Sequence, residues 1–390
     1  MKQGVECSTT AGCFGRNPRC KVKAKLSESF RPHYSLLAGF FFFLVCLSFG
    51  FAQNPSRSIR VWSVGPLTKA ETVGEVAFGA SGPAFTGARM DSQTESVFQA
   101  TRRAVFAGDR IVIAMRVGPP APNQVYRLLS LDAKTGDKRD SRDLADFGLR
   151  AIFATNDGHV ILSGANVLRL TPDLKDEGVL DLNATGRKYA RAENISPDGK
   201  TLGNATSPGY ELVDARTLQI KTLTEYPAVD TSVSNKGYVT DNVHWVRDYP
   251  KDISFVTDTD ASGQHLLYHG KCGGRPQFLS DDLILEPGCK NPLIIDIHGN
   301  LVKTMSVKGD FSYAGVSQNS KRFALQIASF TSIHSLKQER FVIYSTDTWE
   351  PVAEVTPDEP AEEQSWTAFS PDGSMFVVGS PLKLTLYRLP

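Results

Sequence analysis

Two cysteines and six histidines beyond residue 52 are the side chains best equipped for chemistry. Cys272 and Cys289 stand with 16 residues between them. An even pair of thiols in an exported chain reads first as a disulfide and second as free thiols. Without a nearby histidine pair, two cysteines do not make the four-ligand set of a zinc site. His159, His244, His265, His269, His298 and His334 are scattered, and only His265 and His269 are close enough in sequence to be neighbours. Triplets starting at Asn183, Asn194 and Asn204 match a glycosylation acceptor, although Asn194 leads straight into a tight turn. The chain has no His-Glu-x-x-His, no Gly-x-Ser-x-Gly and no phosphate loop, so zinc-protease, serine-hydrolase and nucleotide chemistry have no motif to rest on.

The compartment follows from the first 52 residues. They carry seven of the Lys and Arg and two of the Asp and Glu, so the +1 of the 390-residue chain becomes −4 for the remainder. A mildly acidic body has no footprint for a polyphosphate backbone, which excludes nucleic acid as the expected partner. Within that stretch a basic segment leads into the 12 apolar residues Leu36 to Leu47 and then Gly50-Phe51-Ala52. This is the order of a secretory signal with cutting after Ala52, and residues 1–52 are set aside as a cleaved signal peptide or an N-terminal anchor. As an anchor, the 17 residues Leu36 to Ala52 are short for spanning a bilayer. Cys46 lacks the small preceding residue of a lipidated cysteine. Removing the leader also removes Cys7, Cys13, Cys20 and Cys46 and leaves Cys272 and Cys289 as the pair.

The elements that position these residues repeat. Ser196-Pro197-Asp198-Gly199 and Ser370-Pro371-Asp372-Gly373 are the same turn, with proline setting φ, aspartate bonding back to the backbone and glycine taking positive φ. Weaker copies are Gly108-Asp109, Asn156-Asp157-Gly158, Asn235-Lys236-Gly237, Ser280-Asp281-Asp282 and Gln318-Asn319-Ser320. The seven turns are 38 to 53 residues apart, with a mean of 44, the length of a four-stranded propeller blade. Apolar runs such as Arg110–Val117 and Met375–Val378 read as strands covered on both faces. A second reversal recurs at Asp132–Gly136, Asp214–Thr217 and His298–Asn300. The last unit lacks a fourth strand, and Ser58–Val64 is an unpaired strand-like segment that would complete it. The expectation is an all-β fold, a seven-bladed β-propeller over residues 53–390 as a single domain, closed by an N-terminal strand. Antiparallel neighbours in the fifth unit would bring Cys272 and Cys289 within bonding range.

Ile195-Ser196-Pro197-Asp198-Gly199 and Phe369-Ser370-Pro371-Asp372-Gly373 resemble the turn of the WD40-like and YVTN-type β-propeller superfamily, in its exported, TolB-like branch. In that superfamily the turn is a structural device, so the resemblance implies no catalytic residue. Asp132-Ala133-Lys134-Thr135-Gly136 resembles the Asp-x-x-Thr-Gly stretch of quinoprotein propellers, but it occurs once and without the tryptophan that follows it there. A lactonase-type propeller would converge acids and asparagines on one calcium, with Glu193, Asn194 and Asp230 as the candidates. No α/β-hydrolase domain follows, against a prolyl-oligopeptidase-type peptidase. Two long segments, Gly79–Glu95 and Ala328–Glu339, read as loops where function could reside. The expected function is a non-catalytic exported binding or scaffold module without a cofactor. It would hold a protein, glycan or small ligand through face loops or the central channel, and would be monomeric, meeting a membrane only if the leader is uncleaved. The alternative is a channel-centred enzyme, a calcium-dependent hydrolase or lactonase or a quinoprotein-type oxidoreductase.

N-terminal sequencing of secreted protein is expected to begin at Gln53. Its intact mass should be that of a Cys272–Cys289 disulfide, two hydrogens below the reduced form. A cytosolic protein with two free thiols would contradict both.

Overall fold

The computed structural model describes residues 68–69, 71–77, 104–116, 125–182, 188–207, 210–224, 232–242, 254–260, 263–269, 276–287, 290–332, 335–357, 366–379 and 383–390. All fall in the unit Ser56–Pro390. Cys272, Cys289, Ser58–Val64 and Gly79–Glu95 lie outside the described residues.

Every regular element among the described residues is a strand. Two come first, β1 (Thr68–Lys69) and β2 (Glu71–Ala77). The first sheet follows as β3 (Ala104–Ala107), β4 (Arg110–Arg116), β5 (Val125–Asp132) and β6 (Lys138–Ala145). The second holds β7 (Ala151–Ala154), β8 (Val160–Ser163), β9 (Val167–Leu170) and β10 (Asp176–Leu180). The third holds β11 (Lys188–Ile195), β12 (Thr201–Ser207), β13 (Tyr210–Asp214) and β14 (Ile220–Thr224). The fourth holds β15 (Ser232–Val233), β16 (Val239–Asn242), β17 (Ser254–Asp260) and β18 (Gly263–His269). The fifth holds β19 (Gln277–Phe278), β20 (Leu283–Glu286), β21 (Leu293–Asp296) and β22 (Leu301–Thr304). The sixth holds β23 (Asp310–Val316), β24 (Arg322–Ser332), β25 (Ser335–Ser345) and β26 (Pro351–Val355), with β1 added in parallel on β26. The seventh holds β27 (Trp366–Phe369), β28 (Met375–Gly379) and β29 (Lys383–Arg388), and β2 is its fourth strand. Six sheets are therefore four-stranded and one is five-stranded, all antiparallel apart from the β1 pairing.

The residue types sort by position in each sheet. First strands such as β3 and β7, Ala-Val-Phe-Ala and Ala-Ile-Phe-Ala, are almost wholly buried. Second strands are apolar on both faces, as in Val160–Ser163 and Phe376–Gly379. Fourth strands are polar and exposed, as in Lys138–Ala145. In every sheet the register between third and fourth strand slips by a bulge, for example at Ser130/Leu131, Leu212/Val213 and Ile343/Tyr344. A bulge adds local twist, which rotates the outer strand away from the axis of the inner one.

Apolar cores lie between successive sheets. Val112, Leu128, Ile152 and Leu162 form one between the first and second. Tyr210 and Leu212 meet Val233 and Val239 between the third and fourth. Phe106, Ile111 and Ile113 pack on Trp366, Val377 and Leu384, joining the seventh sheet to the first. The arrangement is an all-β propeller.

Two expectations need correction. The strand that completes the last sheet is β2, not Ser58–Val64: Glu71 pairs with Arg388 and Ala77 with Lys383. Glu-Thr-Val-Gly-Glu-Val-Ala is a weak apolar signal, because an outermost strand is recruited by its backbone pairing more than by core-forming side chains. Ala328–Glu339 is not a long loop. It is the end of a hairpin of two 11-residue strands, in which Ala328 pairs with Glu339, Ser329 with Gln338 and Ser332 with Ser335. Its Ser, Thr, Gln and Lys content obscured the ladder.

Phe376 is fully buried, with ring centroids 5.7 Å from Phe341 and 4.7 Å from Phe369. Phe376→Ala should lower stability by about 3–5 kcal/mol. Denaturant unfolding with unchanged slope checks this, and a loss under 1 kcal/mol would refute the tight packing of the sixth sheet on the seventh.

Candidate functional site

Turns between first and second strands gather at one end of the ring, and those of the second, third, fourth, sixth and seventh sheets are held by a buried hydroxyl. Ser196 Oγ accepts from Thr201 N at 2.9 Å and donates to Asp198 Oδ1 at 2.7 Å. Ser370 does the same with Met375 N at 2.8 Å and Asp372 Oδ1 at 2.6 Å. Thr155 takes His159 N at 3.0 Å and donates to Asp157 Oδ1 at 2.5 Å. Ser317 takes Arg322 N at 3.0 Å and donates to Asn319 Oδ1 at 2.7 Å. Ser234, followed by Lys236, keeps only the bond from Tyr238 N, at 3.1 Å. The hydroxyl is the part of the repeat that sequence reasoning missed. A Ser or Thr two residues before the Asp, Asn or Lys was the available signal.

These bonds absorb the carboxylates. Burial opposes the charge of Asp157, but hydrogen bonds from Thr155 and Arg169 prevail and bring its pKa down to about 2. For Asp372, burial is likewise outweighed, here by bonds from Ser370 and Ser374. Arg169, itself buried, reaches Asp157 Oδ2 at 2.7 Å, Glu177 Oε2 at 2.9 Å and the Ala215 carbonyl at 3.1 Å. His159 completes this network, its Nε2 lying 3.0 Å from Glu177 Oε1. The quinoprotein-like stretch is also a turn device. Asp132 Oδ1 accepts from Lys134 N and Thr135 N at 2.9 and 3.1 Å, and Thr135 Oγ1 donates to Asp137. Arg139, followed by these backbone bonds, lowers the Asp132 pKa to about 2. Asp214 and Asp296 hold equivalent turns through Arg216 and Thr217 and through His298 and Asn300.

The central cavity is lined by Phe106, Ala154, Asn194, Ser232, Phe278, Tyr313 and Thr367, one from each inner strand in turn, together with their neighbours. Every described residue lining it is apolar or neutral. Its volume is about 70 Å³. That is room for a few waters, against roughly 300–1,000 Å³ for a pocket that encloses a drug-sized ligand. At the turn end, Gln318 of the sixth sheet crosses the opening, its Nε2 donating to the Ala154 carbonyl of the second at 3.2 Å. Gly199 permits this closure. With φ at +73°, a Cβ there would stand 2.8 Å from Asn156 N and 2.9 Å from Gln318 Nε2.

Of the three calcium candidates, only Asn194 has a described side chain. Asn194 lines the cavity and accepts from Tyr210 Oη at 3.3 Å, while Asp230 and the Glu193 side chain lie outside the described residues. Asn204 is fully buried and so closed to glycosylation in the folded chain. Asn183, His244 and His334 are outside the described residues, and His298 is exposed on a turn. His265 and His269 lie on β18, opposite Asp258 and Phe255 of β17. Among the described residues no three His, Cys, Asp or Glu are placed to hold a metal ion.

The depressed carboxyl groups set an acid limit. Their stability contribution is present above the unfolded aspartate value near 4 and is lost as pH falls through the folded values. With Asp132 and Asp157 at about 2, the loss is expected between about pH 4 and pH 2. Urea midpoints followed across that window should fall for the natural chain and fall less for Asp157→Asn. Equal slopes would show that Asp157 is not linked to folding.

No known family model matches the chain, and no curated protein matches it. Solved structures do. A chain from the crystal structure of the mitotic checkpoint complex superposes with a TM-score of 0.54 at 11% identity, over 85% of this chain and 100% of that one. The WD40 domain of Toxoplasma gondii coronin gives 0.50 at 10% identity, over 74% and 81%. At such identities the likeness is one of fold, and the fold shared is the WD40-type β-propeller.

Proposed function

We propose that this chain is an exported, non-catalytic binding or scaffold module on a seven-bladed propeller, holding a protein, glycan or small ligand by its face loops. The observation that carries this reading is the central cavity, about 70 Å³ in volume and lined, among the described residues, by apolar and neutral side chains. Asp157, Asp198 and Asp372, in the turns that follow the inner strands, are engaged in holding those turns. WD40 propellers are the structural neighbours, and a checkpoint assembly is among them. Seven blades are supported by the seven sheets and by the seven outer-strand bulges.

Export and the TolB-like branch are supported by the leader and by the two full Ser-Pro-Asp-Gly turns. A Cys272–Cys289 disulfide belongs to this reading and is supported by the even pair of cysteines beyond the leader.

Metal analysis of purified protein, followed by an esterase and lactonase screen with and without chelator, tests the central claim. The expected outcome is no stoichiometric calcium and no chelator-sensitive turnover. Stoichiometric calcium with turnover that chelation abolishes would replace the scaffold reading with a channel-centred hydrolase.

A further inference from the structure

The two strands that precede the first sheet are separated by one residue, Ala70, yet they belong to different sheets. β1 pairs with β26 of the sixth sheet and β2 with β29 of the seventh. Thr68–Ala77 therefore passes from the outer edge of one sheet to that of the next. Its register is matched in charge at both places. Lys69 stands opposite Glu354, and Glu71 stands opposite Arg388. Opposite charges at facing positions favour a pairing, and like charges oppose it.

The two edges beneath this segment share one core. Ala353 and Val355, on either side of Glu354, are buried in the same apolar cluster as Tyr387 and Leu389, on either side of Arg388. Phe341, Phe369 and Phe376 belong to that cluster too. Loosening one edge strand therefore disturbs packing on which the other depends. The covering segment is held more lightly. β1 has two rungs and is parallel, the weaker arrangement per residue. β2 contains Gly74, and its register slips between Thr72 and Gly74. Segments with few ladder bonds open locally at a lower free energy than the whole fold.

The geometry points to Thr68–Ala77 as a single releasable strap that covers and uncovers the edges of β26 and β29 together. Released, the two edges make one acceptor for an extended segment with a cation two residues before an anion, the pattern of Lys69 and Glu71. Such a segment adds by backbone pairing and is selected by the facing charges of Glu354 and Arg388.

Hydrogen exchange on the purified full chain tests this. Lys69→Glu, placed at the sixth sheet, should accelerate exchange about threefold or more in Lys383–Arg388 of the seventh as well as in Val352–Val355. Glu71→Lys, placed at the seventh, should do the same to both, and adding Arg388→Glu should restore both. Asp176–Leu180 of the second sheet should keep its natural rate throughout. In the double variant Lys69→Glu/Glu71→Lys, a synthetic Thr68–Ala77 peptide should protect both edges again. About millimolar peptide is needed, to match the effective concentration of a flexibly tethered segment. The same peptide with its Lys and first Glu exchanged should not protect them. Acceleration confined to the sheet that carries the substitution would overturn the single strap. A natural-sequence peptide that protects neither edge, or a reversed one that protects equally, would overturn the charge-selected acceptor.

Discussion

Burial on both faces is the constraint from which the rest of this molecule follows. Strands such as Ile111–Ala114, Val160–Leu162 and Phe376–Val378 are apolar at consecutive positions, so each sheet presents two apolar faces. A sheet of that kind cannot end an array, because its outer face would be left in water. Each large side chain so exposed forfeits about 1.5–3 kcal/mol. Closing the array on itself resolves the problem. Phe106, Ile111 and Ile113 of the first sheet find Trp366, Val377, Leu384 and Leu386 of the last. Pairing of β2 with β29 then completes the last sheet with a strand that precedes the first sheet in sequence.

Closure crowds the centre, and the turns there must be compact without leaving polar groups unpaired. A buried Ser or Thr answers both needs by accepting a backbone amide from the next strand and donating to the side chain two residues on. The turns then bind one another across sheets. Asn156 N donates to the Gly199 carbonyl at 3.2 Å, and Asn235 N to Asp281 Oδ1 at 2.7 Å. Asn319 holds both the Pro371 and Asp372 carbonyls. Acidic residues in these turns therefore work as hydrogen-bond acceptors for the scaffold, which is why their number says nothing about catalysis.

How much of this was legible depended on the kind of signal. The two Ser-Pro-Asp-Gly turns and the spacing of their weaker copies revealed an all-β repeat and placed every sheet, because proline, aspartate and glycine each do one local job. Outer strands were the blind spot. Glu71–Ala77 and the Ala328–Glu339 hairpin are stabilised by ladder bonds to a neighbour distant in sequence, so composition does not mark them. Leu174, Leu218 and Trp349 hid a second regularity. They occupy positive φ in the turn before the fourth strand, where Gly136 and Gly299 also stand. The leucines are buried, and Trp349 packs on Phe323 at 6.3 Å, so core contact offsets a backbone strain that glycine would avoid. For the cavity, Asn194 was named in advance for calcium, but Gln318, which closes the opening, carries no sequence signal because its partner Ala154 is 164 residues away.

A ring locked in this way divides its surface by what each part can tolerate. Substitution near the axis meets packed backbone within 3 Å, as at Gly199, so a new ligand site there would have to displace scaffold bonds. The rim is freer. Its fourth strands are half in water, their bulges absorb irregular register, and a sheet edge offers directional N–H and C=O groups that need no change to the core. The sixth sheet already uses that freedom when β26 takes up β1. The fixed hub and the freer rim therefore divide the molecule into a part that resists change and a part that accepts it.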